Sequence, residues 1–192
     1  MQDILTVTLY SYFIGSIPTG LILSKIFLNR DVRKTGSGNI GASNMYRTGG
    51  KIIGVSTLVL DCLKGYVVAT LTIKFYSDLY SYSVLLVFLG HLFPIWLKFK
   101  GGKGVATYLG ILFSMHITLP ITFIIFWIFI TYVTKYASLA SLLSSGIILV
   151  LGYLLNEFQI LPLLSIFLVL IIYSHKSNIG LLLRGSEKKI NL

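Results

Sequence analysis

The sequence predicts an all-α integral membrane protein of seven transmembrane helices, N-terminus outside and C-terminus cytoplasmic, and three observations carry that expectation. First, 55% of its 192 residues are hydrophobic and only 11% charged, against roughly 25% charged in soluble domains. Second, apolar segments recur near residues 4–27, 52–74, 80–97, 104–115, 118–134, 138–155 and 158–174, and a hydrocarbon core of about 30 Å needs about 20 apolar residues per helix. Third, the basic residues sort to one side of that arrangement, as set out below.

In order along the chain, the opening Met1-Gln2-Asp3 is uncharged or acidic and runs into a segment too long for a signal-peptide core, so the first span is expected to be retained. The second contains Asp61 and Lys64, three apart on one helical face. A charge near the bilayer centre costs about 2.5–3.5 kcal/mol, which favours pairing or an inward orientation. The lone Cys62 has no partner for an internal disulfide. The apolar run from Val105 to Val133 is too long for one helix, and His116 with Pro120 divides it, because proline removes a donor and disfavours helix just before itself. Without a 20- to 50-residue repeat or a soluble segment, residues 1–192 read as a single polytopic membrane domain.

The loops after the first, third and fifth spans, with the C-terminal tail, hold 13 of the 16 Lys and Arg. The opposite side carries Asp3, Asp78, His116 and Glu157. Basic loops face the cytoplasm, which sets the orientation. A six-span alternative would put Lys135 and the C-terminal bases on the wrong side.

The net charge of +10 serves topology and attraction to anionic head groups. Nucleic acid is excluded as a partner, since no soluble basic domain exists to hold it. Glycines accompany the bases, however. Five Lys and Arg lie in residues 28–51 beside Gly36-Ser37-Gly38-Asn39-Ile40-Gly41-Ala42-Ser43-Asn44-Met45-Tyr46-Arg47, where freed N–H groups, small polar side chains and arginine suit an anion. In the second basic loop Gly101, Gly102 and Gly104 surround Lys103 and lead into the fourth span, which points a helix N-terminus at a phosphate or carboxylate. The spacing is not that of a Walker A nucleotide loop. His175 and Asn178 follow the last span. They either donate to a phosphate, with His175 alternatively taking a proton from an alcohol, or simply cap a helix end at the interface. Three such elements on the cytoplasmic side suit an enzyme that works on phosphorylated substrates where membrane meets water.

The residues also resemble a known family over essentially the full length. Gly15-Ser16-Ile17-Pro18-Thr19-Gly20, GSGNxGxxNxxR at Gly36 to Arg47, DxxKG at Asp61 to Gly65, GHxFPxxxxFKGGKGVAT at Gly90 to Thr107, SLAS at Ser138 to Ser141 and HxxNI at His175 to Ile179 match, in order, the bacterial acyl-phosphate:glycerol-3-phosphate acyltransferases, the PlsY family. The resemblance implies a bacterial inner-membrane enzyme whose active site faces the cytoplasm. It implies transfer of an acyl chain from acyl phosphate to the 1-position of glycerol 3-phosphate, giving 1-acylglycerol 3-phosphate and phosphate, the first step of phospholipid biosynthesis. By the same resemblance Ser37, Arg47, Lys103, His175 and Asn178 are the expected catalytic residues, and Gly36, Gly38, Asn39, Asn44, Gly101, Gly102 and Gly104 the expected substrate-binding positions.

The motifs contain no cytoplasmic carboxylate, Asp31 and Glu187 lying outside them, so a substrate phosphate oxygen is the expected acceptor of the hydroxyl proton. Membrane lipids are the remaining expected partners, with no obligatory protein partner, cofactor or metal. Leu181 stands where the family usually has Arg, with Arg184 three residues on, and Ser43 replaces the more usual Thr. A transporter of organic phosphates is disfavoured because such sites lie near the midplane at a repeat interface. An acyl-CoA-dependent acyltransferase would carry H-x-x-x-x-D, but the residues five after His91, His116 and His175 are Trp96, Ile121 and Gly180.

Overall fold

Proline and glycine divide the apolar chain. In the computed structural model, which describes residues 1–190, Pro18 stands immediately before a helix, Pro94 before a short 3₁₀ turn at Ile95–Leu97, and Pro120 and Pro162 in the first turns of their helices. At these positions the missing N–H has no intrahelical partner to lose. The resulting elements are all helical: α1 (Gln2–Gly15), α2 (Thr19–Leu28), α3 (Ala42–Phe75), α4 (Tyr80–Leu92), α5 (Val105–Met115), α6 (Thr118–Thr134), α7 (Ala137–Leu154), α8 (Leu161–Ser174) and α9 (Lys176–Leu183).

Several boundaries differ from the expected spans. The first is two helices, α1 and α2, because Ser16-Ile17-Pro18 interrupts it. The second begins ten residues early, at Ala42, and is kinked at Gly50, whose φ of 85° and ψ of 177° are non-helical. Asn44 and Arg47 therefore lie on a helical segment rather than in a loop. The third stops at Leu92, where Phe93-Pro94 breaks it. The divide at His116 falls between α5 and α6 as expected.

Four stretches are long and apolar enough to cross a membrane: Gln2–Leu28, Ala42–Phe75, Ser77–Leu97 and Ala137–Leu154. The pair α8 and α9, bent by 62°, makes a fifth if counted as one span, while α5 and α6 are shorter apolar helices. At 1.5 Å per residue the 11 residues of α5 reach only about 16 Å.

The chain divides into two units, Met1–Ser114 and Met115–Leu192. In the first, α1 packs on α4, α2 on α3, and α3 on α4. Close crossings rest on glycine: a Cβ on Gly15 would strike the backbone of Val87, and one on Gly90 the backbone of Tyr12, the small-residue contact by which helices associate without a hydrophobic driving force. Between α1, α3 and α4 a chain of hydroxyls runs Tyr10–Thr72–Ser83–Ser11, with spacings of 2.6, 2.7 and 2.8 Å. In the second unit α7 packs against α6 and α8. Its buried face is small, with Ala137, Ser138, Ala140, Ser141, Ser144 and Ser145 in its first half. Trp127 Nε1 donates to Ser141 Oγ at 3.0 Å, and the tail returns so that Ile190 N donates to Lys135 O at 2.9 Å.

Gly90→Val should drive α1 and α4 apart and abolish recovery of folded protein in size-exclusion profiles. Ser83→Ala, which removes the centre of the hydroxyl chain, should fold and lose only about 0.5–2 kcal/mol in thermal unfolding.

Candidate active site

The first glycine loop is organised by one amide. Asn44, on the helical segment that opens α3 and almost fully buried, accepts from Ser37 N at 2.8 Å through Oδ1. Its Nδ2 donates to Thr35 O at 3.1 Å and Asn39 O at 2.8 Å, with Val32 O at 3.4 Å. Gly36 and Gly38 take φ of 62° and 73°, and a Cβ on Gly36 would collide with Asn44 Oδ1. Asn39 Oδ1 accepts from Gly41 N at 2.8 Å, turning the chain into the helix that carries Arg47. Ser37 is exposed and Arg47 half-buried. Asn39 and Asn44 thus shape the loop, and Ser37 and Arg47 are the side chains that the shape presents.

Two of the loop's bases have local partners. Arg30 donates through Nη2 to Thr48 O, just before the Gly50 kink. Arg33 forks onto Asp31, with Nη2 2.6 Å from Oδ2 and Nε 2.9 Å from Oδ1. That guanidinium holds the Asp31 carboxyl down at about 2, from an ordinary 3.8. A lowered folded-state value means the pair stabilises above the ordinary carboxylate range and is lost only as pH falls toward 2. The pair is exposed, so its contribution is small.

The second loop is seated on the end of α4. Gly101 N donates to Leu92 O at 2.9 Å and Gly102 N to His91 O at 3.1 Å, closing the terminal carbonyls of that helix. A Cβ on Gly102 would meet the imidazole of His91, and one on Gly104, whose φ is 85°, would meet the Phe88 ring. The N–H groups of Gly101 and Gly102, expected to approach an anion, are thus directed at α4, and what these glycines supply is close approach. Lys98 and Phe99, both left-handed with φ of 52° and 61°, turn the chain into this seat. Lys103 follows, half-buried, before α5. Leu97 packs against Leu21, Val32, Ile40 and Met45, so the first glycine loop and the turn that leads into the second share one apolar core.

In the second unit His175 Nδ1 lies 2.8 Å from Ile171 O. A carbonyl only accepts, so Nδ1 carries the proton in the neutral ring. Asn178, on the first turn of α9, donates through Nδ2 to Glu187 Oε1 at 2.7 Å, and Ser138 Oγ donates to the same oxygen at 3.1 Å. Glu187 Oε2 is buried without a hydrogen-bond partner among the described residues. Sequence reasoning missed Glu187. The signal was there, in a lone acid between Arg184 and Lys188-Lys189 and in an SLAS motif whose first serine had no role. Leu181 is exposed on α9, and Arg184 lies exposed at its end. Among the described residues no cluster of His, Cys, Asp or Glu could hold a metal ion.

A family model described as Glycerol-3-phosphate acyltransferase matches residues 5–185. A glycerol-3-phosphate acyltransferase of Pelagibacter ubique is 48% identical over 192 residues, covering 100% of both chains. One of Thermotoga maritima, glycerol-3-phosphate acyltransferase 2, is 45% identical over 94% of this chain and 93% of its own. Among solved structures, the chain superposes with a TM-score of 0.92 and 34% identity on the glycerol 3-phosphate form of PlsY (YgiH), an integral membrane glycerol 3-phosphate acyltransferase. That match covers 97% of this chain and 95% of the other. The lysophosphatidic acid form of the same protein gives 0.89 at 33% identity, with the same coverage. Fold and relatives together define a multi-pass membrane acyltransferase. The chain belongs to the glycerol-3-phosphate acyltransferase family.

Asn44→Asp keeps the acceptor for Ser37 N but sets an oxygen against the carbonyls of Thr35 and Asn39. It should cost about 1–3 kcal/mol of stability and more activity than Asn39→Ala, as read by thermal unfolding and initial rates.

Proposed function

We propose that this chain moves an acyl group from acyl phosphate to the 1-hydroxyl of glycerol 3-phosphate, releasing 1-acylglycerol 3-phosphate and inorganic phosphate. The observation that supports this reading is the apolar core of Leu21, Val32, Ile40 and Met45 at the first glycine loop, against which Leu97, in the turn leading to the second, also packs. An acyl phosphate is already activated, so the protein's task is to align two phosphorylated substrates and stabilise charge on the carbonyl oxygen and leaving phosphate. Arg47 and Lys103 supply that charge, with Ser37 as a hydroxyl donor.

In the reaction the alcohol oxygen bonds to the carbonyl carbon, the bond from that carbon to the phosphate oxygen breaks, and the hydroxyl proton ends on phosphate. The two carboxylates nearest the cytoplasmic loop motifs are engaged, Asp31 by Arg33 and Glu187 by Asn178 and Ser138, which supports a substrate phosphate oxygen as proton acceptor. His175 and Asn178 take substrate roles on the strength of the family motif, His175 with its proton fixed on Nδ1. As one membrane domain the chain would make seven spans in a bacterial inner membrane, N-terminus outside, C-terminus and site cytoplasmic. The basic loops support that orientation.

Purified in lipid with glycerol 3-phosphate, the protein should release phosphate with acyl phosphate and do nothing with acyl-CoA. Turnover with acyl-CoA alone, or flux of intact glycerol 3-phosphate, overturns the reading. Arg47→Ala and Lys103→Ala should each lower kcat/KM by about a hundredfold or more, well beyond Lys34→Ala. His175→Ala should raise KM more than it lowers kcat. The opposite split would make His175 the base.

For topology, in a Cys62→Ala background, Lys189→Cys should label only from the cytoplasmic face and Asp78→Cys only from outside.

A further inference from the structure

The mechanism leaves one buried polar cluster unused. Asp61 and Lys64 of α3 and His91 of α4 are each at most 6% exposed. Lys64 Nζ is 2.8 Å from Asp61 Oδ1, and His91 Nδ1 is 3.6 Å from the same oxygen. Thr19 Oγ1 donates to it at 2.6 Å, and Lys64 Nζ also donates to Ile17 O at 3.2 Å, in the break between α1 and α2. A bundle needing only an ion pair would stop at Asp61 and Lys64. Here the pair reaches out to two other elements, and each leads to a glycine loop.

On one side Thr19 opens α2. The next residue, Gly20, abuts Ile40 O so closely that a Cβ would collide with it, and Leu21 joins Val32, Ile40 and Met45 in the core beneath the first loop. On the other side the His91 ring is the surface against which Gly102 lies, and its own carbonyl holds Gly102 N. One carboxylate oxygen therefore bonds α2, which abuts residues 36–44, and lies 3.6 Å from His91, which abuts residues 101–104.

We propose that Asp61, with Lys64, Thr19 and His91, is a positioning cluster that holds the two glycine loops in register with one another. Thr19 is the branch to the first loop and His91 the branch to the second. The four act through the loops, and their effect on catalysis rests on the phosphate-binding reading of those loops given above.

The test uses the full chain in lipid nanodiscs, with amide hydrogen exchange and steady-state kinetics on the same preparations. Thr19→Val, which keeps shape and deletes the hydroxyl, should speed exchange in 36–44 about tenfold while leaving 99–104 as in the parent. His91→Ala should do the reverse, with His91→Gln replacing it if that variant does not accumulate. Each should lower kcat/KM by about tenfold or more, since misplacing a binding group by about 1 Å costs up to a hundredfold. In a Lys103→Ala background His91→Ala should cost less than about threefold, because the turn no longer carries the side chain it placed. Exchange that rises in both loops for both variants, or in neither, overturns the proposal, as do losses that simply multiply with Lys103→Ala. Full activity of Lys103→Ala alongside the expected exchange pattern would instead overturn the phosphate reading of the turn and leave the anchoring in place.

Discussion

A helix that breaks inside an apolar bundle releases carbonyls and N–H groups that have no water to turn to, and each must find a partner within the protein. The first unit breaks its helices at residues 16–18 and after Leu92, and side chains or glycine N–H groups meet both breaks. Trp96 Nε1 donates to Ser16 O and Lys64 to Ile17 O. Tyr12 donates to Phe93 O, and Gly101 and Gly102 close on Leu92 and His91. This requirement accounts for the inward bonds of Trp96, Lys64 and Tyr12, and the second glycine loop sits at the break after Leu92.

The same requirement ties the loops to the helices beside them. A phosphate-handling surface made only of flexible glycine would lose the advantage of prior alignment. Here each loop is bound to a helix: residues 35–39 to the Asn44 amide, and residues 101–102 to the end of α4. The glycines supply left-handed turns and close approach, and neighbouring side chains supply the constraint. On the proposed function, the side chains left to reach the substrates are a short set, Ser37, Arg47 and Lys103 in the first unit.

Much of this was legible in the sequence. The all-helical membrane class followed from composition, the divide before α6 from His116 and Pro120, and the Asp61–Lys64 pair from its three-residue spacing. The site motifs were visible because glycine next to base is rare in a chain with so few charges. Boundaries within the apolar runs were harder. Ser16-Ile17-Pro18 reads as apolar enough to continue a span, and Ala42–Gly49 is helical although its Asn, Arg and Gly suggest a loop, because contacts at Asn44 hold it. The inward roles of Asn44 and Glu187 were hidden too, since one polar residue in a motif looks the same whether it binds a ligand or the backbone beside it.

The Asn44 amide also sets where this protein can change its length. Its bonds are counted by position: Ser37 two residues beyond Thr35, Asn39 two beyond Ser37, and Asn44 five beyond Asn39. One residue more or fewer between Thr35 and Asn44 would bring the wrong carbonyls and N–H groups to the amide, and neither substitution nor relaxation of a side chain restores a shifted register. A change in chain length is tolerated more readily elsewhere, in segments such as the turn around Ser77–Leu79, whose own side chains make no hydrogen bond among the described residues.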